Sequence, residues 1–428
     1  MITAKEYYYS VIAPHEKGRS YQGVYQSGVE EAAMKELREL HNSGFFDHFD
    51  EKQLSSFEHS PRFSNDGTFE IFMEYLIRNV SSDLKNRLDC TFVARIRDLL
   101  PQAWAMHHAS VREQTSGELS FVHDGLLRAS SRYANLFAEF FSFKSKEERL
   151  PSSSPLLAKS LSGLEINARK WIELSSKWSL TGDMLDLGAS SSFWDSPPEV
   201  KVLTSKFVCD IRMFIMGHEL AHHLLGHTGY GCRGGELLAQ IPNNTKRWTH
   251  VQPYHAKELQ ADSLSILLSD RILKAQFGSE KDDSGLSNSL LHGSYLTLAV
   301  ISQIMGDSNK STPTHPSVQD RLCQCKEIVE WLEQTYVTDF KYSFSEMLIG
   351  DFSNFMMKFA DDHAALDIGA SFASTGDLQN MLSDYHFMRK MGLTSIPDRL
   401  LLEYGCKTMK EFMGKLRLLA EARSITID

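Results

Sequence analysis

Residues 196–228 read SPPEVKVLTSKFVCDIRMFIMGHELAHHLLGHT. Ser196 followed by two prolines predicts a helix start, with Ser196 at the N-cap, Pro197 at the first helical position and Glu199 completing a capping box. Val202, Leu203, Phe207, Val208, Ile211, Phe214 and Ile215 then recur at three- and four-residue spacing and make one buried stripe. Gly226 is a natural C-terminal stop. The spacing predicts a single long helix whose last two turns carry His218-Glu219-Leu220-Ala221-His222.

Residues four apart on a helix share a face, so His218 and His222 can both reach one Zn²⁺. Glu219 lies about 100° round from His218, placed to approach a metal-associated water as general base. In a chain with 17 histidines the five-residue string can also arise by accident. Its position on a capped amphipathic helix adds the context that an accident lacks. A catalytic zinc needs a third protein ligand and leaves a fourth position for water. The spacing that would put a third His six residues after the second fails, because that position is Thr228. Glu258-Leu259-Gln260-Ala261-Asp262 offers a carboxylate pair at i, i+4 on a second helix expected over residues 253–273. Glu258 is the favoured third ligand, and Asp262 can accept a hydrogen bond from the distal nitrogen of a ligating His. His250 and His255 are rival ligands. On an unbroken helix His223 and His227 point away from the pair, which leaves His223 to pack or hydrogen-bond near the site. The stretch Thr314-His315-Pro316-Ser317, with Arg321 five residues after the proline, holds His315 just outside a helix beginning at Val318. His315 and Arg321 can support the oxyanion that develops when a peptide carbonyl is attacked.

The ordered set His-Glu-Leu-Ala-His, Glu-Leu-Gln-Ala-Asp and Thr-His-Pro-Ser resembles the gluzincin zinc metallopeptidases, most closely the HtpX and CAAX-prenyl-endopeptidase type. The resemblance spans roughly residues 200–325. It implies zinc held by His218, His222 and Glu258, Glu219 as base, His315 with Arg321 in transition-state support, and a protein or peptide substrate. It also implies a zincin-like core with a long motif helix and a small sheet. Enzymes of the HtpX type carry membrane-spanning helices; the most apolar stretch here, residues 290–305, is interrupted by His292, Gly293, Ser294 and Gln303, and reads as a buried core helix.

The rest of the chain sets the frame. Its 428 residues, 42% hydrophobic and 23% charged, are ordinary globular composition. A net charge of −10 argues against nucleic acid or an anionic membrane surface as partner. The fold class expected is mainly α, with helices over residues 29–41, 69–100 and 125–143, and no fixed-period repeat or βαβ alternation. A break at Leu150-Pro151-Ser152-Ser153-Ser154-Pro155 suggests three regions: 1–150 helical, 151–330 the metallopeptidase core and 331–428 helical again. Substrate-binding edge strands are sought in residues 117–122 or 179–187. The first residues, MITAKEYYY, lack a signal-peptide pattern, and the six scattered cysteines lack a disulfide rhythm, so a cytoplasmic location is expected. The leading function is a zinc endopeptidase, latent if the glycine-rich residues 229–244 or the N-terminal region cover the cleft until a ligand, or a regulatory partner acting through the N-terminal region, binds. The alternative is a catalytically degenerate, metal-stabilised interaction protein.

Overall fold

The computed structural model describes residues 3–13, 62–96, 103–106, 117–181, 196–228, 234–241, 251–277, 284–305, 311–335, 343–364, 408–413 and 416. The helix expected over 29–41, the rival ligand His250, and residues 182–187 lie outside them. The described chain is mainly helical. In order it runs α1 (Ala4–Tyr7, prolonged by a π turn), α2 (Gly67–Arg78), α3 (Ser82–Leu88), β1 (Thr91–Ile96), β2 (Ala103–Met106), β3 (Glu118–His123), α4 (Asp124–Glu147) and α5 (Pro155–Thr181). There follow α6 (Pro198–Leu224), α7 (Gly235–Leu238), α8 (Pro253–Phe277), α9 (Ser284–Met305), α10 (Val318–Thr335) and α11 (Ser343–Ala364).

Three boundaries differ from the sequence reading. The helix expected through residue 100 ends at Arg78, and after α3 the Thr-Phe-Val-Ala-Arg-Ile segment is strand β1. β-Branched and aromatic residues favour the pleat there, and apolar spacing alone could not separate a short strand from a helix. α6 starts at Pro198 with Pro197 as the N-cap, in extended backbone, and no side chain caps it. A residue that precedes a proline is pushed out of the helical region, so Pro197 cannot take the first turn and Ser196 is displaced from the cap. Residues 284–289, expected in a loop, are the first turns of α9.

The sheet has the order β1-β3-β2. β1 runs parallel to β3, with Thr91 opposite Glu118 and Ile96 opposite His123, and β2 runs antiparallel to β3, with Ala103 opposite Val122. Residues 117–122 are therefore the paired centre of the sheet, and the edge is β2, which the sequence reading did not find. Among the described residues nothing pairs with the outer side of β2, whereas β1 is bridged at Val93 by Ser64. Side chains alternate across the sheet. Phe92, Ala94, Ile96, Leu119 and Phe121 pack under Tyr7, Tyr8 and Ile12 of the N-terminal segment, and Val93 and Val122 join the helical core on the other face. That core is one cluster joining Phe72 of α2, Phe137 of α4, Leu220 of α6, Leu296 of α9 and Phe352 of α11, so residues before and after 150 share it. No helix among the described residues is long and apolar enough to cross a membrane.

His292 of α9 is buried in this core between Phe137 and Phe207, whose ring centroids lie 5.6 and 5.0 Å away. Neither of its ring nitrogens has a hydrogen-bond partner among the described residues. Burial, reinforced by Lys206, holds its pKa well below the ordinary imidazole value. The folded chain keeps His292 neutral while the unfolded chain protonates it below about pH 6.5, so acidification through that range favours unfolding by up to about 1.4 kcal/mol per pH unit. His292→Leu is expected to raise stability at pH 7.5 by about 1–3 kcal/mol by removing unpaired polar atoms. It should also flatten the loss on acidification, as paired urea melts at pH 7.5 and 5.5 would show.

Candidate metal centre

The site forms where α6 and α8 touch. At Gly217 a Cβ would lie 2.7 Å from Ser265 Oγ and 3.2 Å from Ser265 Cα, so only glycine permits this approach. Ser265 Oγ donates to the Phe214 carbonyl at 2.7 Å, which locks the two helices at this level. The next residue on α6 is His218, and the face of α8 opposite it carries Glu258 and Asp262. The i, i+4 pairs read from sequence thus face each other across one helix contact.

His218 Nε2, His222 Nε2 and a Glu258 carboxylate oxygen converge, each within 4.8 Å of the others, and all three residues are buried. The two Nε2 atoms are 3.1 Å apart. Glu258 Oε2 is 3.4 Å from His218 Nε2, and Oε1 is 3.5 Å from His222 Nε2. Zinc bonds of about 2.0–2.1 Å at tetrahedral angles separate neighbouring ligand atoms by about 3.3–3.4 Å. The triangle therefore has the dimensions of one face of a zinc tetrahedron, and two imidazoles with one carboxylate are a donor set that zinc takes. The residues present fit the ion. Glu219, also buried, follows His218 on the same turn.

Behind His218 stands a carboxylate and its clamp. Asp262 Oδ1 lies 2.9 Å from His218 Nδ1. Arg321 of α10 donates to the same carboxylate twice, from Nε to Oδ2 at 2.8 Å and from Nη2 to Oδ1 at 2.7 Å. Sequence reasoning placed Arg321 beside the developing oxyanion; its fork instead faces Asp262. Burial opposes ionisation of Asp262, but the Arg321 guanidinium and then His218 hold its pKa below the usual carboxylate value. Burial likewise opposes a charge on His218, yet contacts with Asp262 and Glu258 push it up to about 9. Glu219, Glu258 and Asp262 are all buried, and a buried group of two imidazoles and a carboxylate is one that could hold a metal ion.

The second imidazole is held differently. α6 ends in a Schellman turn: Gly226 adopts φ 73°, the His227 amide donates to the His222 carbonyl at 2.9 Å and the Gly226 amide to the His223 carbonyl at 3.0 Å. The reversal brings His227 Nδ1 to 3.0 Å from His222 Nδ1, with His227 Nε2 3.2 Å from Gln260 Oε1 on α8. Burial lowers the His227 pKa to about 4. Sequence reasoning missed this contact, although the stop at Gly226 was the signal for it. His223 points the other way and anchors α6 to the sheet, 3.1 Å from both the Leu119 carbonyl and Ser120 Oγ of β3.

His315 completes the rim. Its Nε2 lies 3.7 Å from Glu258 Oε2, and its Nδ1 is 2.9 Å from Thr314 Oγ1. Thr312 braces the loop, donating from its amide to the His315 carbonyl at 2.9 Å and accepting the His315 amide on Oγ1 at 3.0 Å. The rival ligand His255 is spent on this loop, its Nε2 2.7 Å from the Thr312 carbonyl oxygen. Ser317 Oγ accepts the Asp320 amide at 3.1 Å, capping α10 as expected. Of residues 229–244, those described hold the short helix α7, with Leu237 and Leu238 buried. No protein-family model, no curated protein and no solved structure matches the chain.

Proposed function

We propose that this chain is a zinc-dependent endopeptidase related in design to the gluzincins, with His218, His222 and Glu258 as the ligands. The observation that carries the reading is the buried triangle of two Nε2 atoms and one carboxylate, its edges 3.1, 3.4 and 3.5 Å. His218, His222 and Glu258 would hold the ion, and zinc there would supply Lewis acidity to a water and to the scissile carbonyl. The other steps belong to side chains. Glu219 takes the proton of the attacking water on its carboxylate and returns it to the leaving amine nitrogen. His315, whose Nδ1 lies 2.9 Å from the Thr314 hydroxyl, offers an Nε2 proton to the oxyanion in the tautomer in which that hydroxyl donates. Arg321 acts at one remove, by fixing Asp262 and through it His218. The substrate lies extended along the side of β2 that is unpaired among the described residues, on a strand that packs on α6, and gains main-chain hydrogen bonds without regard to sequence. A cytoplasmic setting belongs to the same proposal.

Purified protein is expected to contain about one zinc per chain by elemental analysis. Its cleavage of an unstructured peptide library should vanish on chelation and return with added zinc. Full-length protein that takes up no zinc, or cleaves equally well with and without it, would overturn the reading.

A further inference from the structure

His218 has a carboxylate behind it, the usual device for orienting a ligating imidazole. At His222 the atom facing Nδ1 is another imidazole nitrogen, His227 Nδ1 at 3.0 Å. Two nitrogens at that distance share one proton. If it sits on His222 Nδ1, the Nε2 lone pair of His222 is open toward His218 and Glu258, and His227 must accept on Nδ1. A neutral His227 then carries its own proton on Nε2, where Gln260 Oε1 is the acceptor at 3.2 Å. If the proton sits on His227 Nδ1 instead, His222 bears its proton on Nε2 and cannot ligate. A doubly protonated His227 has the same consequence. Only the first arrangement suits both the metal triangle and the Gln260 carbonyl.

We propose that His227 and Gln260 form a neutral relay that holds the His222 proton on Nδ1 and so presents Nε2 to the metal; this rests on the metal-site reading above. His227 is a positioning residue. It reaches its place because Gly226 turns the chain through left-handed backbone and delivers the next side chain back over the helix end. The two ligating histidines are thus oriented by different chemistry, His218 by an anion clamped to Arg321 and His222 by an uncharged chain.

The test is the zinc affinity of the full-length wild type, His227→Phe and His227→Asn, measured by competition with a chromophoric chelator. Phe keeps a ring of similar volume without an acceptor; Asn loses volume but keeps an oxygen near the Nδ1 position. The relay predicts zinc binding about 10–100-fold weaker in His227→Phe and within about threefold of wild type in His227→Asn. Packing alone predicts the opposite order, and either that order or wild-type affinity in both variants overturns the relay. Wild-type protein that binds no zinc is a separate outcome, which overturns the metal reading and takes the relay with it. A ¹⁵N-histidine spectrum of the zinc-loaded wild type, with His222 and His227 assigned through the Asn variant, keeps the test open if His227→Phe does not fold. The relay requires the protons on His222 Nδ1 and His227 Nε2, and a proton on His227 Nδ1 overturns it.

Discussion

A Glu219→Gln chain is expected to bind zinc as tightly as wild type while its peptide hydrolysis falls by about 10²–10⁴-fold. Glu219 is not a corner of the donor triangle, which His218, His222 and Glu258 form without it. The exchange keeps the shape of the side chain and the buried surface it covers, so the α6–α8 contact at Gly217 and Ser265 should stand. What disappears is a group that can take a proton from water and hand it to the leaving nitrogen. An amide does neither at neutral pH. Zinc stoichiometry and affinity, the urea midpoint, and the rate on the same peptide pool separate the possibilities. Unchanged zinc binding and stability with collapsed turnover supports Glu219 as the base. Undiminished turnover in the variant would remove Glu219 from the mechanism, and loss of zinc along with turnover would make it part of the binding set.

The parts of the site legible in the sequence are those encoded by helical spacing. His218 with His222, and Glu258 with Asp262, are i, i+4 pairs, and a helix must put each pair on one face whatever the rest of the chain does. The cap at Ser317 is equally local, and it appears where the sequence reading places it. Other features depend on what meets them in space. Arg321 shows a cation near a histidine motif; its partner Asp262 lies 59 residues earlier, and only the packing of α10 on α8 reveals that the fork is turned to it. His227 looks like a polar helix end until the backbone sign at Gly226 is known. Strand β2 is four residues long, too short for alternation to declare itself, and β1 was absorbed into the preceding helix because its apolar residues continue that helix's pattern. Helical content and the β3 stretch that docks α6 through His223 were thus readable, and strands β1 and β2 were not.

Arg321→Met is expected to destabilise the fold by about 3–5 kcal/mol and to weaken zinc binding by about 10–100-fold. Asp262 is fully buried, both of its oxygens take hydrogen bonds from Arg321, and Oδ1 also lies 2.9 Å from His218 Nδ1. Removing the guanidinium leaves a carboxylate in the core with its main counter-charge gone, and Met returns the packing of the side-chain stem without the fork. The carboxylate then regains a proton more readily, and its hold on His218 Nδ1 slackens. Arg321→Lys restores the charge but not the two parallel bonds, so it should fall between Met and wild type in both readouts. An arginine acting directly on the oxyanion behaves otherwise: its removal would lower turnover by about 10²–10³-fold and leave the urea midpoint and zinc affinity where they were. Adding Asp262→Asn to Arg321→Met decides between the two. If the charge pair is the source of the loss, neutralising the stranded aspartate recovers stability, and the double variant is less destabilised than the sum of the single ones. Additive losses would mean that the pair seen at 2.7 and 2.8 Å carries little of the site's stability.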